Sequence, residues 1–161
     1  MSNGLDGYSR PRATACTRWA EFFAREEYSH AVTLRPHNAR YALGVEHMHR
    51  AFVRVHMLVD RALLGPRFPR KHGLRTAAVG IVEGLPDATH LHGAMRVRQD
   101  HWAKFESLFS NASKVENVWN KVSPAGTCVV ERIGDPIGWY EYALKGAWGV
   151  NSSDKIIFLP L

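Results

Sequence analysis

Residues 90 and 92 are both histidine, inside a stretch, THLHGAMRV (89–97), that alternates apolar with polar or small side chains. In an extended strand alternate side chains share a face. His90 and His92 then stand together with Ala94, Arg96 and Arg98, and Leu91, Gly93, Met95 and Val97 point the other way. Two adjacent imidazoles are the start of a divalent-metal site, and Glu83, seven residues before His90, offers a carboxylate. Two imidazoles and one carboxylate leave positions open for water and phosphate oxygens, so an ion held there can act as a Lewis acid on a phosphodiester. Glu83 has the parity of Ala77, Val79 and Ile81, so a regular strand points it with them, toward a core. A bulge, or the end of the strand at Gly84, would redirect it. The His-x-His spacing recurs at His47 and His49, where the surrounding pattern is helical. Residues two apart on a helix diverge by about 200° and cannot share one ion, so that pair is expected on solvated helix surface.

A nucleophile is offered by GWYEYALKG (138–146). On a helix Tyr142 and Lys145, three apart, face the same way, while Tyr140 points well away from Tyr142. A phenol titrates near 10, so it attacks phosphorus well only where a cation or base favours the phenolate. Lys145 and a nearby metal ion are suited to that.

The elements that must position these groups are legible in the periodicity. Residues 14–25 carry Trp19, Phe22 and Phe23 as an apolar helical stripe, and 28–34 (YSHAVTL) reads as a strand ending before Pro36. Residues 38–64 repeat Tyr41, Val45, Met48, Phe52, Val55, Val59 and Leu63 at spacings of four and three, a long helix with one buried face that stops at Gly65-Pro66. A basic loop (65–75) leads to strands at 76–84 and 89–97, joined by GLPDA as a hairpin. A helix is expected over 99–110, a further helical stretch over 115–122, a strand over 127–133, and a helix after Asp135 as N-cap with Pro136 at its first position. The tail KIIFLPL suits an edge strand. The order of elements predicts an α+β fold: an antiparallel sheet with helices packed on one face and the other face free for a ligand.

The chain has 161 residues, 45% hydrophobic and 22% charged, enough for one compact domain. No run reaches the roughly 18 apolar residues of a membrane helix, and the N-terminus lacks the apolar core of a signal peptide, so a cytoplasmic protein with no membrane partner is expected. The two cysteines, Cys16 and Cys128, have no neighbours at metal-ligand spacing and read as buried thiols. A net charge of +6 favours polyanionic partners.

Taken together, THLHGAMRV, EYALKG and the earlier strand HAVTL resemble the three motifs of the HUH endonucleases, specifically the single-tyrosine rolling-circle replication initiators of small bacterial plasmids and filamentous phages. The resemblance covers residues 28–148, and residues 1–27 then form an N-terminal extension with its own helix before an endonuclease domain over 28–161. It implies a ferredoxin-like sheet in which His90, His92 and Glu83 bind Mg²⁺ or Mn²⁺, with Tyr142 as nucleophile, Lys145 as its partner and Thr33 near the DNA backbone. It further implies a sequence-specific nickase and strand-joining enzyme acting on single-stranded DNA or an origin hairpin through a 5′-phosphotyrosine bond. Arg96, Arg98 and the loop residues Arg67, Arg70, Lys71 and Arg75 are candidates to hold the DNA backbone. No GxxxxGK[ST] phosphate loop is present, so a host helicase and a polymerase are expected partners. The second tyrosine, Tyr140, stands at a spacing of two, where two-tyrosine initiators use a longer interval. A transposase or a mobilisation relaxase of the same superfamily, or a non-catalytic single-strand-binding module, are the alternatives.

Overall fold

In a computed structural model of the chain, residues 9–37, 44–85, 88–110, 116–145 and 152–160 are described, the side chains of 9–16 and 152–153 excepted. The elements run α1 (Ser9–Ala24), β1 (His30–Arg35), α2 (Val45–Leu64), β2 (Ala77–Glu83), β3 (His90–Arg96), α3 (Trp102–Phe109), β4 (Thr127–Arg132), α4 (Pro136–Leu144) and β5 (Ile156–Leu159). The strands expected at 28–34, 76–84, 89–97 and 127–133 form within two residues of those bounds, and the tail supplies β5. The expected start of the long helix, 38–43 with Tyr41, lies outside the described residues, as does the side chain of Cys16. Cys128 is half-buried rather than fully enclosed. No helix among the described residues is long and apolar enough to cross a membrane.

The five strands pair antiparallel in the order β4-β1-β3-β2-β5, which makes the histidine-bearing β3 the central strand. On one face Met48, Phe52, Val55 and Val59 of α2 and Phe105 and Phe109 of α3 pack on Val32, Leu34, Ala78, Val82, Leu91 and Met95. The expectation of helices on one face only is corrected on the other side of the sheet. There Ala20 and Phe23 of α1 and Tyr140, Ala143 and Leu144 of α4 close over Val79, Ile81 and Ala94. The cause lies in β2: AAVGIVE is apolar at both parities, and a strand apolar on both faces must be covered on both. What stays open on this second face is its β1–β4 side.

Two glycines let α2 sit close on the strands. A Cβ on Gly93 would lie 2.8 Å from Val32 Cγ2 and 3.1 Å from the Phe52 ring, and one on Gly80 would lie 2.9 Å from that ring. Both obstacles are rigid, a β-branched side chain and a fully buried aromatic. Gly93→Ala is therefore expected to lower unfolding free energy by about 1–3 kcal/mol through overpacking, read as a lower midpoint in urea.

A buried polar clamp joins α2 to the start of β2. Asp60 accepts from the Thr76 backbone N–H (3.0 Å), the Thr76 hydroxyl (2.8 Å) and Arg75 Nε (2.8 Å), and His56 Nε2 donates to the Thr76 carbonyl at 2.8 Å. Burial holds the His56 imidazole below its ordinary pKa, against the opposing charge of Asp60. The unfolded chain thus takes up this proton more readily than the folded one. His56 stabilises the fold fully above about pH 6.5, and that contribution is lost as pH falls from there through its lowered folded value. His30 and His49, also lowered by burial first, act in the same direction. Tm is expected to drop between pH 7 and pH 5, and His56→Gln, whose amide still donates, is expected to shrink the drop in a calorimetric pH series.

The helical stretch expected over 115–122 is corrected: residues 118–122 are turns, and 111–115 lie outside the described residues. Asn117 Oδ1 accepts from the Asn120 backbone N–H at 2.8 Å, and Trp119, fully buried, donates Nε1–H to the Arg35 carbonyl at 3.0 Å. A side chain that satisfies the local backbone competes with helix formation, and the indole fastens this loop to the end of β1.

Candidate metal and nucleophile site

Register brings the first three residues together. Glu83 pairs directly across from His90, and Ile81 across from His92. Glu83 does share the parity of Val79 and Ile81, as the alternation requires, and no bulge interrupts the ladder. That parity is the histidines' own face, so the carboxylate needs no redirection. Between the two strands Gly84 turns at φ +72°, and a Cβ there would sit 2.2 Å from the Ala88 carbonyl oxygen. The tight turn matters for chemistry because His90 Nδ1 lies 2.8 Å from that same oxygen.

The two rings are each oriented from behind. His90 Nδ1–H donates to the Ala88 carbonyl, and His92 Nδ1 shares a hydrogen bond of 3.2 Å with the Thr33 hydroxyl. Both Nε2 atoms are thereby turned to one point: they lie 3.2 Å apart, and each is 3.4 Å from Glu83 Oε2. Backbone and hydroxyl groups that hold the far ring nitrogen are what fix a ligating histidine's tautomer and aim. Glu83 and His92 are buried and His90 half-buried, with all three ligand atoms within 4.8 Å of one another. The Glu83 carboxylate beside it holds the His90 imidazole above its ordinary pKa, outweighing burial and the Arg35 charge. Glu83, His90 and His92 can hold a metal ion.

Asp135 caps α4, its carboxylate accepting from the Gly138 N–H at 3.1 Å, with Pro136 at the first position as the sequence indicates. This fixes the helix's rotation. Tyr140, Ala143 and Leu144 go inward, and Tyr142 is left 52% exposed with its ring 5.4 Å from the His92 ring. Lys145 Nζ stands 3.8 Å from the centre of the Tyr142 ring. Tyr140 is enclosed by Phe23 and Trp139 at ring distances of 5.0 and 4.8 Å, and its hydroxyl is buried without a hydrogen-bond partner among the described residues. Burial pushes its pKa far above that of a free phenol.

Thr33 belongs to the site, though its hydroxyl orients His92. The arginines and lysine expected to accompany the site are placed elsewhere. Arg96 lies six residues along β3 from His90, about 20 Å away, near Glu26, and Arg98 pairs with Asp100 at 2.9 Å. Arg67, Arg70, Lys71 and Arg75 belong to the loop entering β2 at the end opposite Glu83. Arg75 is taken by Asp60, and Lys71 Nζ donates to the Leu64 carbonyl at 2.8 Å. Of the helix pair, His47 is exposed as expected, whereas His49 is half-buried beside Asp154.

Spacing alone did not single out the residues that flank the site on the open part of this face. Thr33, Arg35 and His92 line a groove of about 590 Å³ with Trp139 and Tyr142, and Thr127 and Glu131 of β4 form its outer edge. Two signals were available: Arg35 has the parity of Thr33, and Trp139, Tyr142 and Lys145 recur every three residues on one helix face. Comparison with protein-family models, with curated proteins and with solved structures finds no match to this chain.

Proposed function

We propose that the chain is a metal-dependent single-stranded DNA nickase and strand-joining enzyme of the HUH type, acting as a single-tyrosine initiator of rolling-circle replication. The observation that carries this reading is the exposed Tyr142 phenol beside His92, next to a preorganised set of two imidazoles and a carboxylate and under the Lys145 ammonium. A cation held there by His90, His92 and Glu83, Mg²⁺ or Mn²⁺ as the family resemblance implies, would supply Lewis-acid polarisation of non-bridging phosphate oxygens. The chain's own groups do the rest. Lys145 favours the phenolate, whose oxygen attacks the scissile phosphorus. The P–O3′ bond breaks, the phenolic proton ends on the 3′-hydroxyl, and a 5′-phosphotyrosine bond remains. That ester keeps the phosphodiester's energy, so a 3′-hydroxyl can reverse the step and rejoin a strand.

The test uses a randomised single-stranded oligonucleotide library labelled at the 3′ end, the end that stays with the protein. A labelled band at protein mass on a denaturing gel, dependent on Mn²⁺ and lost in EDTA, is the expected result. Binding of the library with no such band would leave a non-catalytic binding module and end the nickase reading. Sequencing the captured strands would give the target, and a transposase or relaxase would be told apart by the ends it joins.

A further inference from the structure

The groove between β4 and α4 has a charge arrangement that the nicking step does not use. Arg35 is exposed, and its side chain makes no hydrogen bond or ion pair among the described residues. Glu131, at the other end, is exposed and likewise without a partner among them. Both lie on the same face: Arg35 pairs with Thr127 and Ala31 with Glu131 in the β1–β4 ladder. Four residues of strand, about 14 Å of backbone, separate the two positions, and no ion pair joins their side chains. Trp139, half-buried, and the exposed Tyr142 line the same groove.

Each of the three side chains answers a different part of a nucleotide. An unpaired arginine suits a phosphate, and an indole face suits the π-face of any base. A carboxylate in a groove for a polyanion costs affinity unless it accepts from a donor, and the donors a strand presents for reading are on its bases. Cytosine, adenine and guanine carry an exocyclic amino group. Thymine offers only an imino N–H flanked by two carbonyl oxygens, which repel a carboxylate.

Building on the nickase reading, we propose that this groove is a base-reading subsite beside Tyr142. Arg35 holds a backbone phosphate, Trp139 stacks a base, and Glu131 accepts the amino group of that base, selecting amino-bearing bases over thymine.

The experiment measures binding of fluorescent oligo-dC and oligo-dT of equal length, two pyrimidines of the same size, to full-length Tyr142→Phe protein with Mn²⁺, across a salt series. Oligo-dC is expected to bind about tenfold tighter than oligo-dT, the size of one good base contact. In the Tyr142→Phe background, Glu131→Thr should tighten oligo-dT and bring the ratio near one. Arg35→Gln should weaken both and reduce the salt slope by about 0.7, the value for one single-strand phosphate. Trp139→Leu should weaken both roughly tenfold, with Trp139→Phe retaining most of the affinity and guarding against a folding defect. A parent ratio near one, a ratio untouched by Glu131→Thr, or a salt slope untouched by Arg35→Gln overturns the subsite. Adduct formation by unsubstituted protein is scored in parallel. Adduct without base preference sinks the subsite alone, and preference without adduct supports the subsite while sinking the nickase.

Discussion

Tyr142→Phe protein is expected to form no covalent adduct with single-stranded DNA, a loss of at least about 10³-fold, while still binding Mn²⁺ and DNA. Phenylalanine keeps the ring that faces His92 at 5.4 Å and the Lys145 contact at 3.8 Å, and deletes only the oxygen that would bond to phosphorus. The neighbouring phenol is not placed to take over: the Tyr140 hydroxyl is enclosed by α1 and the body of α4, and burial raises its pKa further above that of a free phenol. Tyr140→Phe is the matched control. It removes a buried hydroxyl that has no partner among the described residues, so adduct yield should be unchanged and stability equal or up to about 1 kcal/mol higher. Adduct lost in Tyr140→Phe and kept in Tyr142→Phe would reverse the assignment. Equal yields from both would move the nucleophile elsewhere in the chain.

How far the sequence led can be seen residue by residue. Period-two alternation correctly put His90, His92 and Ala94 on one face of β3 and Leu91, Gly93 and Met95 on the other, because strand geometry leaves no other choice. Alternation does not say what covers a face. The same parity that places Glu83 with the histidines also places Val79 and Ile81 there, and those two residues demand the cover that α1 and α4 provide. Glu83 therefore looked core-directed when the site and a second core share one side of the sheet. The basic loop stands apart from the three-residue site for a related reason. Charges contiguous in sequence at 67–75 are carried by the antiparallel hairpin to the end of β2 remote from Glu83, and only the pairing register reveals it. Arg35 was hidden by its place at a strand end before Pro36, although its parity with Thr33 marked it as a groove residue. The turns at 118–122 were unreadable because Trp119 takes its position from a hydrogen bond to Arg35, eighty-four residues away in the chain.

His92→Ala is expected to weaken Mn²⁺ binding by at least about 100-fold in titration calorimetry, since loss of an outer-shell partner alone commonly costs 10–100-fold. Thr33 and the Ala88 carbonyl hold both Nδ1 atoms, leaving two Nε2 atoms and Glu83 Oε2 within 3.4 Å of one another, and removing one ring leaves too few donors to compete with water. An independent readout comes from stability. Mn²⁺ at 100 times its Kd should add about 2.7 kcal/mol to the unfolding free energy and raise Tm by several degrees, and the His92→Ala protein should show no such rise. His47→Ala, which alters the same His-x-His spacing on the α2 surface, should keep the full rise. The pH dependence has a definite sign. The metal-free His90 is held above its ordinary pKa by Glu83, and the ion must displace that proton, so apparent affinity should begin to fall at a higher pH than a free imidazole would give. Glu83→Gln removes the charge that raises it and also removes a ligand, so the decline should shift to lower pH while the plateau affinity drops. A decline that stays where it was would mean that Glu83 does not act on His90, and the three-residue site would have to be abandoned.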